Sequence, residues 1–549
     1  MPMQEYASDA VHWYLNEIAS RVVAESGRPT DRFHLGKIIL QSFKDAPDFI
    51  LQIDGATGET ETFASGHKRS VQCANAFRKI GIDIGDVIVI MAPNHIHQCV
   101  PIYATLFIGA ITAGVDMTLG VAELSDTFKN ILPKIIFCQN EKAKDVQQAV
   151  RNINHEALII TYDQSDDFLT FSNLLKSGND VSVADFKASD FDTETTIALL
   201  IATSGTSGLP KSAVTTHCNW FANLPYIWSN HNNFPTPFKM HFMVSPIQWL
   251  SATAMYIFSP ILRFTRLQTS APITREHFYE VVNKYKPSYS LSSPNFYMQF
   301  YKPDALEKCD LTCFERLIIG GSFVPPSLLD DIKAISPNTH PNVAYGLSET
   351  TGMILNCVNM VPGSIGSPIG STQYRIVNPE TQEDINVPNV PGELRVKGRG
   401  VFMGYYNNPK MTEEVKTKDG WLKTGDVVYR DDRWNFFFVE RLKMLMKYMN
   451  HQISPVEIER LIIKHPGVFD VAVTGIKDPE RGDLPVACVV RQEGSNVTAQ
   501  EIKDLVKDTL SDSKQLRGGV LFLDKLPMTP SFKVNRSKLS SMVIEMARE

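Results

Sequence analysis

Short apolar runs alternate with helix-spaced apolar positions along the first part of the chain. Val87-Ile88-Val89-Ile90 is followed by a helical run around Ile102 to Ala110, then by Ile135-Ile136-Phe137 and Leu158-Ile159-Ile160. Alternation of this kind predicts an α/β fold with largely parallel sheets. Ile197-Ala198-Leu199-Leu200-Ile201 and Ala213-Val214 predict two more buried strands. A second alternating block runs from about Phe242 to Pro341, where Leu317-Ile318-Ile319 leads into Gly320-Gly321-Ser322. From about Pro362 to Tyr429 the texture changes to short strands with many Gly, Pro and Asn turns, which predicts a small β-barrel-like subdomain. Beyond Arg441, Val456 to Lys464 predicts an amphipathic helix, Val468 to Gly475 a strand, Glu501 to Leu510 a helix and Val520 to Leu523 a strand. The pattern thus predicts a large α/β domain over residues 1–440, built of two α/β subdomains and the β-barrel-like one, then a small α+β domain over 441–549.

At 549 residues the chain exceeds one ordinary core, in keeping with several subdomains. A net charge of -6 argues against nucleic-acid binding, and no segment has the uncharged apolar length of a transmembrane helix. Met1-Pro2-Met3-Gln4-Glu5-Tyr6 lacks the basic and apolar regions of a signal peptide, and Ser537-Lys538-Leu539 is followed by further chain to Glu549. A cytoplasmic location is the expectation. The 8 cysteines form no C-x-x-C pair, which predicts reduced, mostly buried thiols rather than a zinc site.

Candidate chemistry concentrates in a few segments. Thr203-Ser204-Gly205-Thr206-Ser207-Gly208-Leu209-Pro210-Lys211 places hydroxyls, glycines and a cation in one loop between two predicted strands. Inward-turned backbone N–H groups, hydroxyls and an ammonium are what a polyphosphate needs. The spacing is not that of a P-loop, since Leu and Pro precede Lys211 and no helix pattern follows. Gly320-Gly321 reads equally as close ligand approach or a plain turn. Tyr345-Gly346-Leu347-Ser348-Glu349-Thr350-Thr351-Gly352 offers an aromatic face, hydroxyls and a carboxylate suited to a nucleotide with Mg2+, or a strand-ending turn. In Trp421-Leu422-Lys423-Thr424-Gly425-Asp426 a carboxylate follows a predicted tight turn, placed to accept from ribose hydroxyls or from its own backbone.

In this order, and along nearly the whole chain, these segments resemble the adenylate-forming superfamily of acyl-CoA synthetases, 4-coumarate-CoA ligases and beetle luciferases. Gly392-Glu393-Leu394, Gly404-Tyr405, Asp426, Glu440-Arg441-Leu442-Lys443, Lys447-Tyr448, Gln452, Pro455 with Glu457 and Glu459, and Lys514 to Val520 fall where its insect luciferase-like branch has them. The resemblance implies an ATP- and Mg2+-dependent reaction in which a small-molecule carboxylic acid is adenylated and then transferred to CoA. It implies that Thr203, Ser204, Gly205, Thr206, Ser207, Gly208 and Lys211 hold pyrophosphate and that Gly320, Gly321 and Tyr345 line the adenine. Ser322, Gly346 and Ser348 are counted with the nucleotide-binding residues. Glu349 would engage Mg2+, and Asp426 with Arg441 would hold the ribose. The small domain would be mobile, swinging at Glu440 to present Lys533 for adenylation and Lys447 for the second step.

Three departures from the family pattern bear on activity. Phe532 stands where a glycine precedes the adenylation lysine, and Asn450 where a glycine borders the pantetheine tunnel. Pro246-Ile247-Gln248-Trp249-Leu250-Ser251 replaces an aromatic-His-His-Gly run, so a helix carrying Trp249 and Leu250, with Gln248, gives the acid pocket an apolar wall suited to a fatty or arylalkanoic acid. Asn223 is the nearest equivalent of an arginine found in beetle luciferases. The leading expectation is an AMP-forming acid–thiol ligase. The alternatives are a luciferase-like monooxygenase using the same adenylate with O2, and a nucleotide-binding pseudoenzyme.

Overall fold

The computed structural model describes residues 8–179, 182–203, 211–225, 240–357, 361–370, 372–449, 451–528 and 534–549. The chain divides into two units, Met1–Gln373 with Lys397–Leu422, and Tyr374–Val396 with Lys423–Glu549. The division falls at 373/374, 396/397 and 422/423. Residues 374–396 and 423–440 are sheet-forming segments that go with the C-terminal part of the chain.

The first unit is α/β, with two sheets. One has eight strands among the described residues, and its centre is the parallel set Ile111–Gly114, Val87–Met91, Ile135–Cys138 and Leu158–Thr161. Every residue of Val87–Met91 and Ile135–Cys138 is buried, as continuous apolar runs in a two-sided parallel sheet require. Ile197–Thr203 joins in parallel, and Lys211–Thr216 then turns back antiparallel beside it, so a strand and not a helix follows Lys211. The last member, Gly404–Tyr405, comes from far downstream and pairs antiparallel with Lys211–Thr216. Helix Cys99–Ile108 is apolar all round and buried at every residue, which makes it an internal rather than a surface helix.

The second sheet has nine strands among the described residues. Arg316–Gly320, Tyr289–Ser292, Met240–Phe242 and Thr265–Gln268 run parallel, with His340–Leu347 parallel to Arg316–Gly320. Ile50–Asp54, from near the start of the chain, lies parallel to Thr265–Gln268 in this sheet and not with its sequence neighbours in the other. The two halves of the unit are thus interleaved along the chain.

In the second unit the strand-and-turn region forms a four-stranded sheet of Gln373–Val377, Gly392–Lys397, Leu422–Arg430 and Phe436–Arg441. A five-stranded sheet follows, with the long antiparallel pair Val468–Asp478 and Gly482–Arg491 at its heart and Gly519–Phe522 parallel to the latter. Helices Pro455–Ile462 and Ala499–Thr509 bury Ile458, Ile462, Ile502 and Val506 in one apolar cluster with Val473 and Val489. Leu539 and Val543 of Arg536–Glu545 join Val486 and Cys488 in another. No helix among the described residues is long and apolar enough to cross a membrane.

Candidate functional site

In the first unit, the candidate nucleotide residues emerge from the C-terminal ends of parallel strands, the edge at which open α/β sheets bind ligands. Gly320 ends the strand Arg316–Gly320 and pairs with Ala344, so Gly321 leaves the sheet beside Tyr345, which continues in the strand His340–Leu347. A Cβ on Gly320 would lie 2.6 Å from the Ala344 carbonyl oxygen, and one on Gly346 would drive into the Gly352 carbonyl. These two glycines serve strand packing, whereas Gly321 has φ +87 with open space around it and makes the turn that exposes Ser322. Tyr345, Gly346 and Ser348 are half-buried. The strand Met240–Phe242 has the same direction, and the chain after it leads to Gln248, Trp249 and Leu250.

Glu349 sits on a short turn, Ser348–Thr350, between His340–Leu347 and the returning strand Gly352–Asn356. The turn is pinned on several sides. Asn223 Nδ2 donates to the Thr350 carbonyl at 2.9 Å and the Thr351 hydroxyl at 2.5 Å, and that hydroxyl is 2.7 Å from the Gly400 carbonyl. Thr351 is fully buried at φ 50, a left-handed conformation that a β-branched residue adopts only when its surroundings hold it there. The Glu349 carbonyl accepts the Phe402 N–H at 2.9 Å, and its carboxylate oxygen Oε1 accepts the Tyr405 hydroxyl at 2.7 Å.

Thr203 and Lys211 stand opposite each other where the predicted phosphate loop begins and ends. Ser204, Gly205, Thr206, Ser207 and Gly208 lie outside the described residues, as do Lys533, Phe532 and Asn450. The Lys211 ammonium lies 5.5 Å from the centre of the Tyr405 ring. Tyr405 and Asn223 carried no assigned role in the sequence. Tyr405 is 56 residues from Glu349 and Asn223 is 127 from Thr350, so nothing in local spacing signals either contact.

The helix predicted to carry Trp249 and Leu250 begins at Leu250. Trp249 is the N-cap residue of Leu250–Leu262, and Gln248 lies in the turn before it. This turn is fastened by the Thr253 hydroxyl to the Ile247 and Trp249 carbonyls, each at 3.1 Å, and by Asn94 Nδ2 to the Ser245 carbonyl at 3.0 Å. Gly114 has no room for a Cβ, which would lie 2.6 Å from the Ile247 carbonyl oxygen.

In the second unit Asp426 does not follow a turn but sits inside the strand Leu422–Arg430. Gly425 takes φ 69 within that strand, the local irregularity that resembled a turn in the sequence. Asp426 is fully buried and pairs across the sheet with Arg441, whose Nε lies 2.6 Å from Oδ1. Glu440 is buried too: Oε1 accepts the Arg441 N–H at 2.8 Å, and Oε2 accepts from Val456 N at 3.1 Å and the Ser454 hydroxyl at 3.4 Å. Burial pushes its carboxyl above the ordinary glutamate range, partly offset by those donors. Lys447 is exposed on the strand Met446–Tyr448, and its N–H donates to Asp483 Oδ2 at 2.9 Å.

The first unit thus joins an aromatic ring, hydroxyls and a half-exposed carboxylate at the ends of adjacent strands of one sheet with a lysine from the other, and the second offers a buried carboxylate–guanidinium pair and an exposed lysine. The AMP-binding enzyme family model matches residues 40–406, and the model of the AMP-binding enzyme C-terminal domain matches 457–533. A luciferin 4-monooxygenase of Photuris pensylvanica is 30% identical over 513 residues, 92% of this chain and 93% of that protein. A 4-coumarate–CoA ligase of Petroselinum crispum is also 30% identical, over 89% of this chain and 90% of its own. Among solved structures, the luciferase-like enzyme from the nonluminescent Zophobas morio mealworm superposes with a TM-score of 0.69 at 26% identity, covering 74% of this chain and 95% of that one. ATP-bound MatB from Rhodopseudomonas palustris gives 0.83 at 22% identity over 92% of this chain and 98% of that one, a likeness of fold.

Proposed function

Since this chain belongs to the AMP-binding enzyme family, we propose that it activates a fatty or arylalkanoic acid with ATP and passes the acyl group to CoA. In the first step a carboxylate oxygen attacks the α-phosphorus and pyrophosphate leaves. In the second the CoA thiolate attacks the acyl carbonyl and AMP leaves. The observation that best supports this reading is the placing of Gly321, Tyr345 and Glu349 at the C-terminal ends of two adjacent parallel strands, with the Glu349 carboxylate bonded to Tyr405 and the Tyr405 ring facing Lys211.

On this reading Tyr345 with Gly320, Gly321, Ser322, Gly346 and Ser348 receives the nucleotide, while Thr203, Lys211 and the Ser204 to Gly208 loop receive pyrophosphate. Glu349 fits a hard cation, being a half-exposed carboxylate on a fixed turn with one oxygen already oriented. Bound Mg2+ would offset phosphate charge as the α-phosphorus is attacked. Asp426 with Arg441 would hold the ribose, the buried carboxylate orienting the exposed guanidinium. Lys533 would offset charge developing between carboxylate and α-phosphate, and Lys447 would serve the thioester step after a swing at Glu440. Gln248, Trp249 and Leu250 would wall the acid pocket.

A second reading, oxidation of the same adenylate by O2, is favoured by the 30% identity to the Photuris luciferin 4-monooxygenase, equal to that with the Petroselinum ligase. Pyrophosphate release across a panel of carboxylic acids, with and without CoA, decides between them. Acid-dependent release with thioester formation is the expected result. Release that never yields a thioester overturns the ligase reading, light or O2 uptake without CoA supports the oxidative one, and no release with any acid points to a nucleotide-binding pseudoenzyme.

A further inference from the structure

We propose that Tyr405 is a positioning residue that holds the metal carboxylate and the phosphate cation in fixed register. The inference rests on the roles proposed for Glu349 and Lys211 and adds the group that couples them. Tyr405 pairs with Ala213 across the sheet, and Lys211 is two positions along the same strand, hence on the same face and diagonal to the ring. The ammonium is accordingly 5.5 Å from the ring centre, within cation–π range, while the hydroxyl donates to Glu349 Oε1 at 2.7 Å. One side chain therefore touches two groups that lie on separate sheets and are 138 residues apart in the chain.

The ring itself has little freedom. Its backbone N–H donates to the Thr412 hydroxyl at 2.9 Å, and Phe402 meets it edge-on with ring centres 5.1 Å apart at 74°. Gly404 has no space for a Cβ, which would stand 2.7 Å from that same hydroxyl oxygen, so the strand Gly404–Tyr405 lies close against helix Pro409–Val415. Lys416 Nζ donates to the Phe402 carbonyl at 3.1 Å and fastens the strand's entry. A residue merely filling space needs neither the aimed hydroxyl nor the aimed ring. Outer groups that orient a metal carboxylate typically change metal affinity by about 10- to 100-fold when removed.

The test uses the full chain and two variants, with Mn2+ as a spectroscopic probe of the metal position. Mn2+ binding at saturating ATP is followed by electron paramagnetic resonance, and ATP binding without metal by calorimetry in EDTA. Tyr405→Phe keeps the ring and loses the hydroxyl, so it is expected to weaken Mn2+ about tenfold and leave metal-free ATP affinity unchanged. Tyr405→Leu loses both, and is expected to weaken metal-free ATP binding about threefold as well. Unchanged Mn2+ affinity in a folded Tyr405→Phe overturns the proposal while leaving the nucleotide site intact. A wild-type protein that binds no ATP overturns both this inference and the function on which it rests. Should Tyr405→Leu fail to fold, the Phe variant alone decides.

Discussion

Single side chains in this protein carry charge at defined points, and their removal has separable effects. Lys533→Ala is expected to slow acid-dependent pyrophosphate release by about two to three orders of magnitude, as loss of one electrostatic donor to a transition state does. It should spare thiolysis of a supplied acyl adenylate, and equal loss of both steps in that assay would contradict the assignment. Glu440 makes a different kind of prediction. Because burial raises its carboxyl pKa in the native state, the native protein holds that proton more tightly than the unfolded chain does. Its contribution to stability is full below the ordinary glutamate range and is lost as pH rises through the raised value. Denaturation midpoints of the wild type relative to Glu440→Gln should therefore decline as pH rises above the ordinary glutamate range; a pH-independent difference would disprove the coupling.

At the scale of elements, helix His217–Asn223 acts as a bracket. Asn219 Nδ2 donates to the Arg399 and Val401 carbonyls at 2.6 and 3.2 Å, and Asn223, one turn on, fixes the turn bearing Glu349. Asn223→Ala leaves the buried Thr351 hydroxyl short of a donor and should cost about 1–3 kcal/mol of stability. Steady-state kinetics should show KM for MgATP rising while KM for the acid is unchanged; a parallel rise in both would mean the bracket serves the whole pocket. Much of this scale was legible in the sequence, because apolar runs such as Val87 to Ile90 and Leu317 to Ile319 have the length and branching of buried strands. Two misplacements have local causes. Trp249 caps its helix without any side-chain hydrogen bond, so no Ser, Thr or Asp marked the start. Gly425 advertised a turn but bends a continuing strand. Residue types at the site were legible for the same reason that motifs are, being short and contiguous. The Tyr405, Asn223 and Glu349 contacts were not, since they arise from sheet register between distant segments.

For the molecule as a whole, buried neutral histidines set an acid limit. Burial lowers His34 to about 4, His95 and His241 to about 3, and His217 well below its ordinary value. Each takes up a proton in the unfolded chain near pH 6.5 but not in the native one, so stability present above that pH is lost as pH falls, through about 4 for His34 and about 3 for His95 and His241. Each adds a slope of about 1.4 kcal/mol per pH unit within this window. The denaturation midpoint should fall steeply between pH 6.5 and pH 5, and a flat profile there would show these rings to be solvated. The interleaving of the two large sheets carries a consequence for biosynthesis. Ile50–Asp54 finds its parallel neighbour only at Thr265–Gln268, more than two hundred residues later. As the chain leaves the ribosome this early strand waits, edge open, until its distant partner has been made, and at roughly 5–20 residues per second that wait lasts on the order of ten seconds or more. A nascent chain stalled before residue 265 leaves that edge open to chaperones and to aggregation.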